Sequence, residues 1–157
     1  MNLKTNKDLY EIDKQIYLPT FARYPVVIKK GKGSRVWDVE GKEYIDAFAG
    51  IAVNSVGHCH PQVVQAIREQ AGKLIHISNY YLTEPQVSLA EKLIKLSGLD
   101  RIFLTNSGTE SVEGAIKFAR KYAHSVSKGG TIISLQGSFH GRTLAAIATG
   151  RMELQKG

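Results

Sequence analysis

The chain has 157 residues, of which 43% are hydrophobic and 22% are charged, and its formal net charge is +7. This length and composition suit one globular domain and exclude wholesale disorder. The apolar runs are too short for a transmembrane helix, the first residues lack the apolar core of a secretory signal, and the single cysteine excludes an internal disulfide and fits a reducing cytoplasm.

The first third of the chain is predicted to form a polar, irregular or helical segment followed by a small antiparallel sheet. Residues 1–24 are polar, and three β-rich runs follow at 26–28, 35–39 and 44–46, separated by glycine-containing turns. The densest group of cations lies in the first of these hairpins, without alternating aromatic residues. This pattern predicts a solvated surface and no nucleic-acid partner.

Two helices are predicted in the middle of the chain. Pro61 suits the first turn of a helix whose apolar face extends to Leu74. Thr83 and Gln86 match a capping box that opens the second helix, and Gly98 stands just past its end.

The remaining part of the chain alternates strands and helices. Residues 101–105 and 131–135 read as short buried strands, residues 107–110 open a helix between them, and Thr143 starts another helical stretch. This βαβ pattern predicts an α/β fold with a parallel sheet. Because two parallel strands bury their faces poorly, we expect either the beginning of a larger α/β protein or a sheet that something else completes.

The turn between the first of these strands and its helix is a possible phosphate site. Gly108 and Thr109 would offer free backbone N–H groups at the positive end of a helix, and Ser107 or Thr109 a hydroxyl. A plain helix cap is an equally good interpretation of this turn, because Ser107 and Glu110 also match a self-sufficient capping box.

A second loop follows the next strand, at residues 137–143. Ligands of parallel α/β sheets bind beyond the carboxyl ends of strands, so both loops are expected to face one pocket. Phe139 offers a flat face for a ring, and Arg142 a planar fork for a carboxylate or phosphate. His140 is expected to order the loop rather than transfer protons, and an ordinary loop with a surface arginine is the alternative.

A cluster of two histidines and one cysteine at residues 57–61 raises the question of a metal site. Zinc sites need three or four ligands, usually with wider spacing, and the sequence has no second cluster. We expect a turn that leads into a helix and no metal. A Cys–His nucleophile pair stays possible, although no third group is marked to orient it.

Several segments, taken together and in order, resemble the N-terminal part of the class III (subgroup II) aminotransferases, which bind pyridoxal phosphate on fold type I. The resemblance runs from about Tyr17 to the end of the chain, and the members that act on N-acetylornithine are the most similar. The segments are residues 33–44, 50–54, 57–61, 76–79, 106–110 (NSGTE) and 139–143 (FHGRT).

The resemblance implies roles for residues of both loops. Ser107, Gly108 and Thr109 would hold the phosphate of the cofactor, Phe139 would stack on its pyridine ring, and Arg142 would bind a substrate carboxylate. The family often has alanine at position 109. Because the phosphate contact is largely to the backbone, this departure changes little.

The same resemblance implies a division into parts of two domains. Residues 1–56 would supply an N-terminal segment with the β-meander of the small domain, and residues 57–157 the start of the pyridoxal-phosphate-binding large domain. The family's Schiff-base lysine and the acid that contacts the pyridine nitrogen lie downstream of this region. Lys117 and Lys121 are expected to face solvent. We therefore expect no catalytic residue here and no transamination by this chain alone.

The implied activity transfers the terminal amino group of N-acetylornithine to 2-oxoglutarate in arginine biosynthesis, in a cytoplasmic homodimer with no membrane partner. Ornithine, succinylornithine and 4-aminobutyrate are alternative donors. Other classes of function also stay open. The chain could be a non-catalytic truncated remnant, one half of a split enzyme, or a stand-alone binder of phosphate ligands.

Overall fold

The computed structural model describes residues 4–150, and the chain divides between Tyr80 and Tyr81 into two compact units. Within residues 4–150, the first unit contains one sheet and three helices, and the second contains three helices. The strands are β1 (Ile28–Lys32), β2 (Arg35–Asp38) and β3 (Glu43–Ile45). The helices are α1 (Asn6–Ile16), α2 (Ala49–Ala52), α3 (Pro61–Ala71), α4 (Glu84–Ser97), α5 (Gly108–Ser125) and α6 (Leu144–Ala148).

The predicted antiparallel meander is confirmed, in the order β1-β2-β3. Gly33 and Gly41 adopt φ angles of 58° and 87°, which glycine reaches without steric cost, and they allow the two turns. The first strand begins later than predicted, at Ile28. The lysine-rich stretch is itself part of this strand, because Lys30 pairs with Trp37 in the sheet register. The Lys30 ammonium lies 4.5 Å from the centre of the Trp37 ring, which is a favourable contact.

A hydrogen-bond network ties the start of α1 to this sheet. Asp38 is only 3% exposed. Its Oδ2 accepts hydrogen bonds from the Asn6 amide and the Tyr44 hydroxyl, each at 2.9 Å, and its Oδ1 accepts from the backbone N–H groups of Glu40 and Lys42. Burial raises the pKa of Asp38, but these hydrogen bonds outweigh it and hold the pKa below its usual value.

The two middle helices form close to their predicted bounds, with two local differences. The α3 helix begins at Pro61 but ends at Ala71, so Leu74 lies beyond its apolar face. The Thr83 hydroxyl donates to the Gln86 side chain at 3.1 Å instead of accepting from a backbone N–H, so the predicted capping box does not form there. Gly98 ends α4 in the left-handed conformation, as predicted.

The prediction of two buried strands in the second half of the chain is wrong. Residues 101–105 and 131–135 are not strands, and Phe103, Ile133 and Leu135 are 65%, 92% and 81% exposed. A strand exists only where a neighbour pairs with its backbone, and within residues 4–150 the only sheet is the meander. The apolar residues buried within the same range are only Val36 and Ala146.

Among the helices of residues 4–150, none combines the length and apolar character needed to cross a membrane.

Candidate functional site

The site is built around the first turn of α5. The Ser107 hydroxyl caps the helix by accepting a hydrogen bond from the Glu110 N–H at 3.2 Å. The Glu110 carboxylate accepts from the N–H of Asn106 at 2.8 Å, and so binds the residue before the cap. The N–H groups of Ser107, Gly108 and Thr109 have no acceptor within the described chain. The start of α5 therefore has both a serine cap and N–H donors that a ligand can use, although sequence analysis treated these two features as alternatives.

The loop at residues 139–143 lies directly against this turn. Gly141 is buried and has a φ angle of +124°, and a Cβ atom on it would lie 2.1 Å from Thr109 Oγ1 and 2.8 Å from Thr109 Cβ. Only glycine fits this contact. The two loops that were predicted to face one pocket are thus in contact.

A second link holds the same loop in place. The Thr143 hydroxyl donates a hydrogen bond to the Glu113 carboxylate on α5, and α6, which begins just after Thr143, packs against α5. The position of the loop is therefore set from both sides of Arg142.

Phe139 and Arg142, which were assigned separate roles, also touch each other. The guanidinium carbon of Arg142 lies 5.1 Å from the centre of the Phe139 ring, and Phe139 is 55% exposed. A cation over an aromatic face is favourable, and it holds the guanidinium beside the loop that meets Thr109. His140 is half-buried and lines a cavity of about 420 Å³ that it shares with apolar residues of α5.

These residues fit pyridoxal phosphate in chemistry. Vacant N–H donors at the start of an 18-residue helix suit the phosphate, and an exposed aromatic face suits the pyridine ring. A guanidinium fork suits a carboxylate. Lys117 and Lys121 are exposed, as predicted, and line a separate cavity along the second half of α5.

The histidine cluster of the first unit has a role that sequence analysis missed. The Nε2 atom of His58 lies 2.6 Å from Asp46 Oδ2, while Asp46 Oδ1 accepts from the Phe48 and Ala49 N–H groups. The hydrogen bond from His58 is the largest cause that lowers the pKa of Asp46. Within the described residues, no three His, Cys, Asp or Glu side chains are grouped so that they could hold a metal ion.

The same pair sits between the sheet and an unusual turn. His58 exchanges two backbone hydrogen bonds with Gly33, at 2.8 and 2.9 Å, so the cluster is anchored to the β1–β2 turn. On the other side, α2 is strained, with φ angles of 60° at Ile51 and 62° at Ala52. No motif of closely spaced residues indicates the Asp46–His58 pair or the strain in α2. For the pair, the available sequence signal was an aspartate that lies twelve positions before a histidine.

Comparison with known proteins gives consistent results. The family model for aminotransferase class-III matches residues 18–156. Acetylornithine aminotransferase from Methanocaldococcus jannaschii is 56% identical over 140 residues, which cover 88% of this chain and 35% of that protein. The same enzyme from Methanothermobacter thermautotrophicus is 50% identical over 147 residues, which cover 93% of this chain and 37% of that protein.

A solved structure extends the comparison to the fold. Ornithine aminotransferase from Toxoplasma gondii, whose structure has partial occupancy of PLP at the active site, matches with a TM-score of 0.83 at 37% identity, covering 92% of this chain and 35% of that one. The match confirms the α/β, fold-type-I assignment. This chain spans little more than a third of the length of these relatives. The chain belongs to the class III aminotransferases, the pyridoxal-phosphate-dependent family that its motifs resemble.

Proposed function

We propose that this chain forms the phosphate-, ring- and carboxylate-binding part of an aminotransferase that uses N-acetylornithine and 2-oxoglutarate. The terminal amino group of the donor moves to the keto carbon of the acceptor, leaving an aldehyde and forming glutamate. The observation that carries the proposal is the contact of Thr109 with Gly141, which joins the helix start to the loop of Phe139 and Arg142. The reaction would serve arginine biosynthesis, in a cytoplasmic homodimer.

Each group of the site has one task in this proposal. Pyridoxal phosphate, when bound, supplies an electron sink for the reacting carbon. The N–H groups of Ser107, Gly108 and Thr109 hold its phosphate, and Phe139 fixes the plane of its ring. Arg142 holds a substrate carboxylate through two parallel hydrogen bonds. Residues 1–56 belong to the small domain, and residues 57–157 to the large domain. No residue of this chain is assigned the covalent or proton-transfer steps.

The relatives support the choice of amino donor. Both curated relatives described above are named acetylornithine aminotransferase, at 56% and 50% identity, while the ornithine aminotransferase is 37% identical. Ornithine, succinylornithine and 4-aminobutyrate are the alternative donors, and all of them carry the carboxylate that Arg142 would bind.

Titration of the chain with three ligands tests the site. We expect saturable binding of pyridoxal phosphate, followed by its absorbance, with competition by inorganic phosphate and binding of pyridoxal weaker by about tenfold or more. No covalent link to a lysine should form. Equal binding of pyridoxal and pyridoxal phosphate would contradict the phosphate role, and a lysine-linked product would contradict the absence of a catalytic lysine.

The same titration addresses the non-catalytic alternatives. A stand-alone binder of phosphate ligands would use the Ser107 loop and Phe139 and would bind pyridoxal phosphate tightly without any further part of the enzyme, whereas we expect the chain alone to bind it weakly. A remnant that has lost the site would bind neither ligand. Weak binding with a preference for pyridoxal phosphate over both simpler ligands favours the proposed function.

A further inference from the structure

Residues 49–52 form a turn of left-handed helix. The φ angles of Ala49, Gly50, Ile51 and Ala52 are 50°, 62°, 60° and 62°, and the ψ angles of Gly50 and Ile51 are 42° and 53°. These values lie close to the ideal left-handed helix and have the opposite sign to those of an ordinary α-helix. L-amino acids with a Cβ atom clash with the following carbonyl in this conformation, so proteins usually adopt it at single residues, chiefly glycine. Three of these four residues carry a Cβ atom, so the turn is strained.

The strained turn is held at its start by the carboxylate of Asp46. Asp46 Oδ1 accepts hydrogen bonds from the N–H groups of Phe48 at 3.0 Å and Ala49 at 2.8 Å. The N–H of Asp46 itself donates to the Ser34 carbonyl at 2.8 Å, which ties Asp46 to the loop between β1 and β2. One side chain therefore fixes the point at which the turn begins.

His58 binds the other oxygen of this carboxylate. Its Nε2 atom lies 2.6 Å from Asp46 Oδ2, and the side chains of His58 and Asp46 are only 24% and 15% exposed. The backbone of His58 exchanges hydrogen bonds with Gly33, and a Cβ atom on Gly31 would lie 2.6 Å from His58 Cγ. Because the imidazole lies so close to β1, it is fixed in the direction of Asp46.

The contact between Asp46 and His58 restricts the path of the chain between them. The two residues are twelve positions apart in sequence, and the loop that joins them must leave the sheet at one residue and return to it at the other. Within the loop, the N–H of Asn54 donates to the Ala49 carbonyl at 3.0 Å. Left-handed conformations of residues other than glycine persist only where the surrounding contacts over-determine them. The hydrogen bonds of Asp46 and His58 are contacts of this kind.

We propose that Asp46 and His58 form a clasp that selects the left-handed conformation of residues 49–52, and that the turn relaxes to the right-handed conformation when the clasp is broken. The hydrogen bonds of the clasp supply the free energy that offsets the strain. The turn is then an element with two conformations, and one carboxylate and one imidazole set the balance between them. This role is independent of the activity proposed above.

Hydrogen exchange of the full chain tests the clasp. His58→Ala removes the donor to Asp46 Oδ2, and we expect the amides of Phe48 and Ala49 to lose protection by about tenfold or more. The amide of Leu9 in α1 should keep its protection and so show that the first unit is folded. His58→Gln retains a nitrogen donor and should restore part of the loss. Unchanged protection of Phe48 and Ala49 in His58→Ala would overturn the proposal.

Glycine substitutions test the strain in a chain that keeps the clasp. Ala52→Gly should raise the urea midpoint of unfolding, because glycine adopts a positive φ angle without steric cost. Ala66→Gly is the matched control in the right-handed helix α3, and it should lower the midpoint, because glycine has a poorer helix propensity than alanine. If Ala52→Gly lowered the midpoint as Ala66→Gly does, the turn would not be strained and the proposal would be wrong. This comparison holds even if His58→Ala does not fold.

A double-mutant cycle distinguishes a clasp from a residue that only contributes to stability. If His58 selects the left-handed turn, Ala52→Gly should lose its benefit in the His58→Ala background, because the relaxed turn no longer requires a positive φ angle. An equal shift of the urea midpoint by Ala52→Gly in both backgrounds would show that His58 does not control the turn, and it would refute the proposal.

Discussion

The amide of Asn6 donates a hydrogen bond of 2.9 Å to the buried carboxylate of Asp38, across 32 positions of sequence. Asn6 opens α1, and Asp38 ends β2. Because Asp38 also binds Tyr44 and two backbone N–H groups, one carboxylate joins the first helix, the strand β3 and the β2–β3 turn. The fold of the first unit therefore depends on a charged centre and little apolar burial.

Replacement of this centre should give a pH-dependent loss of stability. The pKa of Asp38 is depressed in the folded state, so its contribution is present above the unfolded value of about 3.9 and is lost as the pH falls through the lower folded value. Asp38→Asn should therefore lower the denaturation midpoint at pH 7, and the gap to the unmodified chain should close in acid. Urea denaturation across pH 2–7 measures this. Asp100→Asn, at an exposed position, is the control, and a gap that persists at pH 2 would contradict the prediction.

Gly31 is required by the ring of His58. A Cβ atom on Gly31 would lie 2.6 Å from His58 Cγ, so Gly31→Ala should push the ring away from Asp46 and cost about 1–3 kcal/mol of unfolding free energy. Gly72→Ala is matched to it, because its Cβ would meet only ordinary contacts at 3.6 Å. Denaturant titration of both variants gives the comparison, and equal midpoints would show that His58 moves aside freely.

Gly141→Ala tests the contact between the two loops. The added methyl group overlaps Thr109 and requires a positive φ angle, so we expect a loss of about 1–3 kcal/mol and weaker binding of pyridoxal phosphate. Gly129→Ala meets no atom within 4 Å and should change neither property. Calorimetry and ligand titration measure the two effects. If Gly141→Ala bound pyridoxal phosphate as tightly as the unmodified chain, the contact between the two loops would have no role in binding it.

Ser107→Ala removes the cap of α5. The Glu110 N–H loses its acceptor, which costs about 1 kcal/mol of stability at a helix N-terminus. Ser125→Ala, at the other end of the helix, removes only a hydroxyl that donates to the Tyr122 carbonyl and should cost less. Thermal unfolding compares the two variants. If Ser125→Ala proved the more damaging, the capping role of Ser107 would be wrong.

Arg142→Ala addresses the carboxylate site in the complete enzyme. We expect weaker binding of carboxylate substrates, by about tenfold or more, with pyridoxal phosphate retained, because a bidentate charged hydrogen bond is lost. Arg142→Lys keeps the charge without the planar fork and should recover only part of the affinity. Steady-state kinetics and cofactor absorbance report on the two ligands. Unchanged KM values in Arg142→Ala would contradict the assignment.

Local signals in the sequence were sufficient for the elements that depend on neighbouring residues. Glycine turns gave the meander, Pro61 and Gly98 marked helix ends, and Ser107 marked the start of α5. Each of these features is decided within a few residues by backbone conformation or capping.

Features that depend on distant partners could not be predicted in this way. The segments 101–105 and 131–135 have the composition of buried strands, but composition does not supply the neighbouring strand. The Asp38 network and the Asp46–His58 pair join residues that no periodic pattern relates. The expectation that both loops face one pocket came from the strand ends that precede them. The family resemblance then implied the roles of Ser107, Gly108, Thr109, Phe139 and Arg142, and these roles stay predictions.

The close approach of Thr109 and Gly141 has an unequal consequence for the two positions. A Cβ on Gly141 would meet the Thr109 Cβ at 2.8 Å as well as its hydroxyl, so shortening residue 109 to alanine relieves only part of the overlap. Residue 109 can therefore be threonine or alanine, whereas residue 141 must be glycine. Saturation mutagenesis should find that position 109 accepts substitution and that position 141, which is in direct contact with it, does not.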